Sequence, residues 1–235
     1  MIVAEQVAAA LEGAIVTNAV NLPVVGAEDA EALGPYVPLA SQLGRIAMEL
    51  ADGIAEEIVI TACGALADRD TRLLGVAALD GAFQGRADRP VNYVNAPSIA
   101  AERGVEVREE RSRTARDYTS LLSVEVRAGG SSWRVAGTTI GNDNRPWLVN
   151  IDGFEIELEL APIFVLCRYD DVPGVIGRVG TLFGEAKINI AGMTVSRGTR
   201  GGKALMVLTV DSPPSPDLVE QLRGEGFDDA RVIEL

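Results

Sequence analysis

The residues best suited to chemistry form one short run, Tyr169-Asp170-Asp171-Val172-Pro173-Gly174, followed downstream by Asn189. Pro173 suits the first turn of a helix, where its missing N–H costs nothing. The backbone N–H groups from Gly174 through Val175 to Ile176 then lack intrahelical acceptors and sit at the positive end of the helix dipole, which suits a carboxylate. Asp171 can hold an ammonium group, and Asn189, at the start of the next strand, offers a donor and an acceptor. Together these groups match the two charged ends of an α-amino acid. The same residues also have a local reading, in which Asp171 caps the helix and Tyr169 merely ends a strand. The residues alone leave both open.

Other chemistries are thinly supplied. The 235 residues include no histidine. That removes the usual general base, the Ser-His-Asp triad and most transition-metal sites. The two lysines, Lys187 and Lys203, fall at the ends of elements, so the chain alone is expected not to be catalytic. Cys63 and Cys167 lie inside the apolar runs IVITACGAL and IFVLCRY and read as buried free thiols of a cytosolic protein. No CxxC supports a zinc site. A net charge of −13 opposes binding to nucleic acid or an anionic membrane. No apolar run reaches the roughly 18 residues of a membrane helix. The beginning MIVAEQVAAALEG lacks the basic region of a signal peptide. A cytoplasmic location follows as the expectation.

Two domains are expected to position the run. Residues 2–11 read as a helix with Val3, Val7, Ala10 and Leu11 on one face; TNAVNLPVVG reads as extended chain. A helical stripe begins at Pro38, with Leu39, Leu43, Ile46, Ala47 and Leu50, and stops at Gly53. EEIVITACGAL is a strand covered on both faces. A further helix is capped by Asp70 or Thr71. VNYVNAPSIAAERGVEV divides into a strand, a short helix opened by Pro97 and stopped by Gly104, and a strand. Hairpins are expected around AGGSS and around Asp152-Gly153.

Beyond a boundary near Ala161-Pro162 the elements come in the order strand, helix, strand, strand, helix, strand. IFVLCRY is followed by a helix over 173–186 with Val175, Ile176, Val179, Leu182, Phe183 and Ala186 inward. INIAGMTVSR, KALMVLTVD, PSPDLVEQLRG and ARVIEL complete the set. This βαββαβ order implies a four-stranded antiparallel sheet with two helices on one face. The fold class is therefore α/β (α+β): a mixed α/β domain followed by a ferredoxin-like one.

YDDVPGVIGRVGTLFGEAKINIAGM resembles the ligand-binding corner of ACT domains, small amino-acid sensors. VNYVNAPSIAAERGVEV and RPWLVNIDGFEIELEL ahead of it extend the likeness. Essentially the whole chain resembles the C-terminal regulatory half of long-form D-3-phosphoglycerate dehydrogenases. The resemblance implies a residual helix of a missing substrate-binding domain over 1–13, an intervening domain over 14–160 and an ACT domain over 161–235. It implies L-serine at an ACT dimer interface. Tyr169, Asp171, Val172, Pro173, Gly174, Val175 and Ile176 would come from one chain and Asn189 from its neighbour. Asp171 would take the amino group and the N–H groups near Gly174–Ile176 the carboxylate.

The resemblance also implies a parent reaction, NAD-dependent oxidation of 3-phosphoglycerate toward L-serine, with feedback inhibition. The NAD-binding and catalytic half would be a partner of these domains rather than part of them. GVIGRVG lies in an amphipathic helix, not in a dinucleotide loop, so no cofactor is expected in this chain. Anion binding by the intervening domain would fall to Arg145, Arg111 and Arg113, although VREERSRTAR also reads as a solvated charged loop. The start at Met1, just ahead of an uncapped helix, points to a cut chain. The competing function is a structural oligomerisation module without a small ligand, for which the apolar strand 162–169 would supply a covered edge or interface. Both readings expect a homo-oligomer, a dimer or tetramer.

Overall fold

Gly44 and Gly81 show how the first layer of helices is built. In the computed structural model, which describes residues 26–199 and 201–235, a methyl group on Gly81 would lie 1.8 Å from the Ser41 carbonyl oxygen. One on Gly44 would lie 2.0 Å from that of Ala78. Helices α2 (Tyr36–Leu50) and α3 (Arg72–Phe83) therefore cross backbone to backbone. The stripe Leu39, Leu43, Ile46 and Leu50 is fully buried. A seven-residue helix α1 (Ala27–Leu33), which the sequence reading does not place, precedes them. Its Glu28 and Asp29 are held by Arg69 at 2.7 and 3.2 Å. The helix expected over 2–11 and the extended chain after it lie outside the described residues, save Gly26.

Strand β1 (Ala55–Gly64) runs into a short 3-10 helix at Ala65–Asp68. A short helix α4 (Ala96–Glu102) precedes β2 (Glu106–Ser112), and β3 (Ser120–Ala128), β4 (Ser131–Ile140), β5 (Arg145–Ile151) and β6 (Phe154–Glu159) follow. The sheet order is β2-β1-β3-β4-β5-β6, with β1 parallel to β2 and antiparallel to β3. β1 buries Ile58, Val59 and Ile60 in succession, as a strand covered on both faces must.

Two expectations in this part need correction. VNYV is no strand. The Asn92 side chain accepts from the N–H groups of Val94 and Asn95, and Asn95 answers by accepting from Asn92 N at 2.8 Å. Such side-chain turns outcompete an extended ladder. VREERSRTAR, in turn, is not simply a loop, because β2 continues to Ser112 as an edge strand paired to β1. Its charged side chains suit an edge that must not recruit another strand.

The chain divides into two compact units. One runs to Ser132 and takes up Thr138–Pro146; the other comprises Trp133–Gly137 and Trp147–Leu235.

The second unit holds the βαββαβ fold expected from the sequence. β7 (Ile163–Asp170), α5 (Val175–Glu185), β8 (Ile190–Arg197), β9 (Lys203–Val210), α6 (Pro216–Gly224) and β10 (Phe227–Glu234) follow in that order. The antiparallel sheet is ordered β10-β7-β9-β8. Val165, Cys167, Tyr169, Met206 and Leu208 pack with Val179 and Phe183 of α5 and Leu218 and Leu222 of α6 in one core. Ser215 caps α6 by accepting from Leu218 N. The other face of the sheet meets residues of the same unit. Thr194 Oγ1 donates to the Glu157 carbonyl at 3.2 Å, and the Arg168 guanidinium lies over the rings of Trp133 and Phe154. β7 is thus a central strand with apolar residues buried on both faces, not the covered edge suggested by its composition.

Candidate functional site

At the C-terminal end of β7 the chain leaves the sheet and turns into α5. Backbone bonding fixes the exit: Asp171 N–H donates to the Gly202 carbonyl at 2.8 Å. Gly174 then takes a left-handed conformation, φ 92°, which a side chain would strain. Its carbonyl accepts the first helical bond, from Arg178 N.

This start differs from expectation in two ways. The helix begins at Val175, so Pro173 and Gly174 form the turn ahead of it. Asp171 does not cap it, and no side chain does. The first-turn N–H groups of Val175 and Ile176 accordingly remain donors without intrahelical acceptors.

A cavity of about 670 Å³ opens at this corner. Tyr169, Asp171, Val172, Pro173, Gly174, Val175 and Ile176 line it, joined by Val195, Arg197 and Gly201. Tyr169 is buried and meets Phe227 edge to face at 5.3 Å. Burial, with the nearby Asp171 charge, raises the Tyr169 pKa. Val172, Ile176 and Val195 are 50, 55 and 38% exposed, so the cavity has an apolar rim open to solvent. Ile176 was expected on the inner face of the helix and is instead on this rim. Asp171 Oδ2 accepts from Arg197 Nη1 at 3.2 Å. Lys203 joins Asp170 and Asp228 at 2.7 and 2.6 Å beside it.

The remaining expected residues lie elsewhere. Asn189 does not line the cavity; its side-chain amide donates to Asp211 at 2.9 Å. Arg111 sits on β2 opposite Ala62, and Arg113 is exposed just beyond that strand. Arg145 opens β5 and pairs with Asp143 at 3.2 Å. Strands β1, β3 and β4 separate β2 from β5, so the sheet does not gather these arginines into one anion pocket. Gly177 and Gly180 lie in α5 with open space around them, which is no phosphate-cradling loop.

Sequence reasoning missed Arg197, Val195 and Gly201. The signal was the period of two in INIAGMTVSR, which sets Val195 and Arg197 on one face of β8.

Comparison with known families agrees with this architecture. Residues 32–152 match the D-3-phosphoglycerate dehydrogenase intervening domain, and residues 163–227 match the ACT domain. The chain belongs to the D-3-phosphoglycerate dehydrogenase family. A D-3-phosphoglycerate dehydrogenase of Archaeoglobus fulgidus is 38% identical over 238 residues, covering 100% of this chain and 45% of the relative. One from Methanocaldococcus jannaschii is 32% identical over 235 residues, covering 100% and 44%. One from Bacillus subtilis is 32% identical over 220 residues, covering 94% and 42%. The chain thus spans less than half the length of these relatives. The cavity lies in the ACT domain, at the turn between its first strand and first helix.

Proposed function

We propose that these domains are the regulatory part of an NAD-dependent D-3-phosphoglycerate dehydrogenase of L-serine biosynthesis, and that L-serine binds at the ACT corner for feedback inhibition. The observation that carries this reading is the cavity itself. It sets a carboxylate, Asp171, beside first-turn helix donors and a cation, Arg197, within one space. That is the complement of a zwitterion. NAD belongs, in this reading, to the remaining length of the relatives. Among the described residues, Gly177 and Gly180 lie in α5 rather than in a loop that could cradle its phosphates.

The ligand joins two copies. β8 is an edge strand, and Asn189 sits just ahead of its first residue while Arg197 is its last. If two β8 strands pair antiparallel about a two-fold axis, Asn189 of the second copy arrives beside Arg197 and Asp171 of the first. Serine held there favours one arrangement of the pair and so acts on a distant active site. By linkage, the state of that active site must alter serine affinity in return. The cytoplasm is the proposed location; among the described residues no helix is long and apolar enough to cross a membrane.

Ligand-dependent stabilisation tests the reading. Millimolar L-serine is expected to raise the melting temperature of the chain, and Asp171→Ala to abolish most of the rise. A shift of the same size in both proteins would remove Asp171 from the site. No shift in either would leave a structural oligomerisation module.

A further inference from the structure

The cavity at the ACT corner already contains a cation for its carboxylate. Arg197 Nη1 donates to Asp171 Oδ2 at 3.2 Å, and both side chains line the same cavity. The Asp171 side chain is 21% exposed, whereas that of Arg197 is 61% exposed. A pair this open to water contributes little to stability, so a competing cation can displace the arginine. Arg197 is also the last residue of β8, at an edge of the sheet.

Resting on the amino-acid reading of this corner, we propose that Arg197 makes the site selective for zwitterions over simple amines. An ammonium group reaching Asp171 competes with the guanidinium for the carboxylate. If the incoming molecule carries a carboxylate on the adjacent carbon, the displaced guanidinium regains an anionic partner within the same cavity. A planar donor fork is well matched to that group. If the molecule is an amine without a carboxylate, it offers the guanidinium no anionic partner in exchange, and the exchange gains less. Lys203 does not serve this role, because it is engaged by Asp170 and Asp228 at 2.7 and 2.6 Å. Arg178 approaches Gly174, but does not line the cavity. Arg197 is thus a specificity-determining residue. It holds Asp171 when no ligand is bound and the ligand carboxylate when one is.

The test compares L-serine with ethanolamine, which is serine without its carboxylate, by calorimetric titration of the chain and of Arg197→Ala and Arg197→Lys. The wild-type chain is expected to prefer serine. In Arg197→Ala, serine affinity should fall at least tenfold while ethanolamine affinity rises, because Asp171 is now unpaired. Arg197→Lys, which keeps the charge but not the planar fork, should keep only part of the preference. Adding Asp171→Asn to Arg197→Ala should remove the gain for ethanolamine, showing that it runs through this carboxylate. If serine binds but Arg197→Ala shifts both ligands by the same factor, the proposal fails and the amino-acid site stands. If neither ligand binds any of the proteins, the amino-acid site fails and the proposal with it.

Discussion

Asp171 and Asn189 stand at opposite ends of the ACT sheet. Asp171 follows the Asp170–Lys203 pair at one end of β9, and the Asn189 carbonyl accepts from Asp211 N just past Val210 at the other. At about 3.3 Å per residue, the eight residues of Lys203–Val210 put roughly 25 Å between these ends. One copy of the chain therefore cannot bring both side chains to one ligand. The account requires two copies, with each site composed of Asp171 from one and Asn189 from the other.

That requirement predicts complementation. Asp171→Ala should weaken serine binding by roughly 1.5–3 kcal/mol, the scale of a lost charged hydrogen bond. Asn189→Ala should weaken it as well. Mixed dimers of the two variants regain one intact site, so mixing two impaired proteins and allowing exchange should restore binding in part. Titration of the mixture with serine reads this directly. A mixture no better than its components would place Asn189 outside the site.

How legible was this in the sequence? The βαββαβ order could be read from apolar pattern, because α5 and α6 each bury one stripe while β7 and β9 are short, nearly continuous apolar runs. The run Tyr169–Ile176 lines a cavity because it is contiguous, and contiguity survives in sequence. Arg197 was not found, because its partnership with Asp171 depends on β8 and the end of β7 being brought together by β9. The apolar strand 162–169 misled in the other direction. Burial on both faces of a central strand and burial at an edge give the same composition. The Asn92–Asn95 turn was missed because valine and tyrosine propensity outweighed two short polar side chains that bond back to the backbone.

The crossing of α2 and α3 predicts opposite outcomes for the same substitution at two glycines. Gly81→Ala forces a methyl against the Ser41 backbone, which must move, and should cost about 1–3 kcal/mol. Gly180→Ala adds a methyl in open space on α5 and should stabilise by about 0.5–1 kcal/mol. Urea unfolding of both variants checks the pair. Equal effects would mean that the helices do not pack backbone to backbone.

Asp80 predicts a pH dependence. It is 5% exposed on α3 and accepts only long hydrogen bonds, from Ser41 at 3.5 Å and Gln84 at 3.3 Å. Burial raises its pKa, and these bonds only partly offset that. A carboxyl with a raised folded-state pKa binds more protons folded than unfolded. Its contribution to stability therefore falls as pH rises from its ordinary value through the raised one, then levels off. Asp80→Asn should gain stability relative to wild type as pH rises toward neutral, with the difference becoming independent of pH well below the ordinary carboxyl range. A difference that is constant with pH would show that Asp80 titrates normally.

Cys167 is fully buried in the ACT core, where burial pushes its pKa up to about 12. The thiolate is the reactive form, so native protein should leave this residue unlabelled by iodoacetamide, and urea-unfolded protein should label it. Labelling in the native state at the rate of the unfolded chain would place Cys167 outside the core.

The most direct measurement is calorimetric titration of the chain with L-serine, with D-serine and glycine as controls. The account predicts stereoselective binding with one half to one site per chain. Absence of heat at millimolar L-serine, or equal binding of both enantiomers, would contradict an amino-acid sensor at the Asp171 corner.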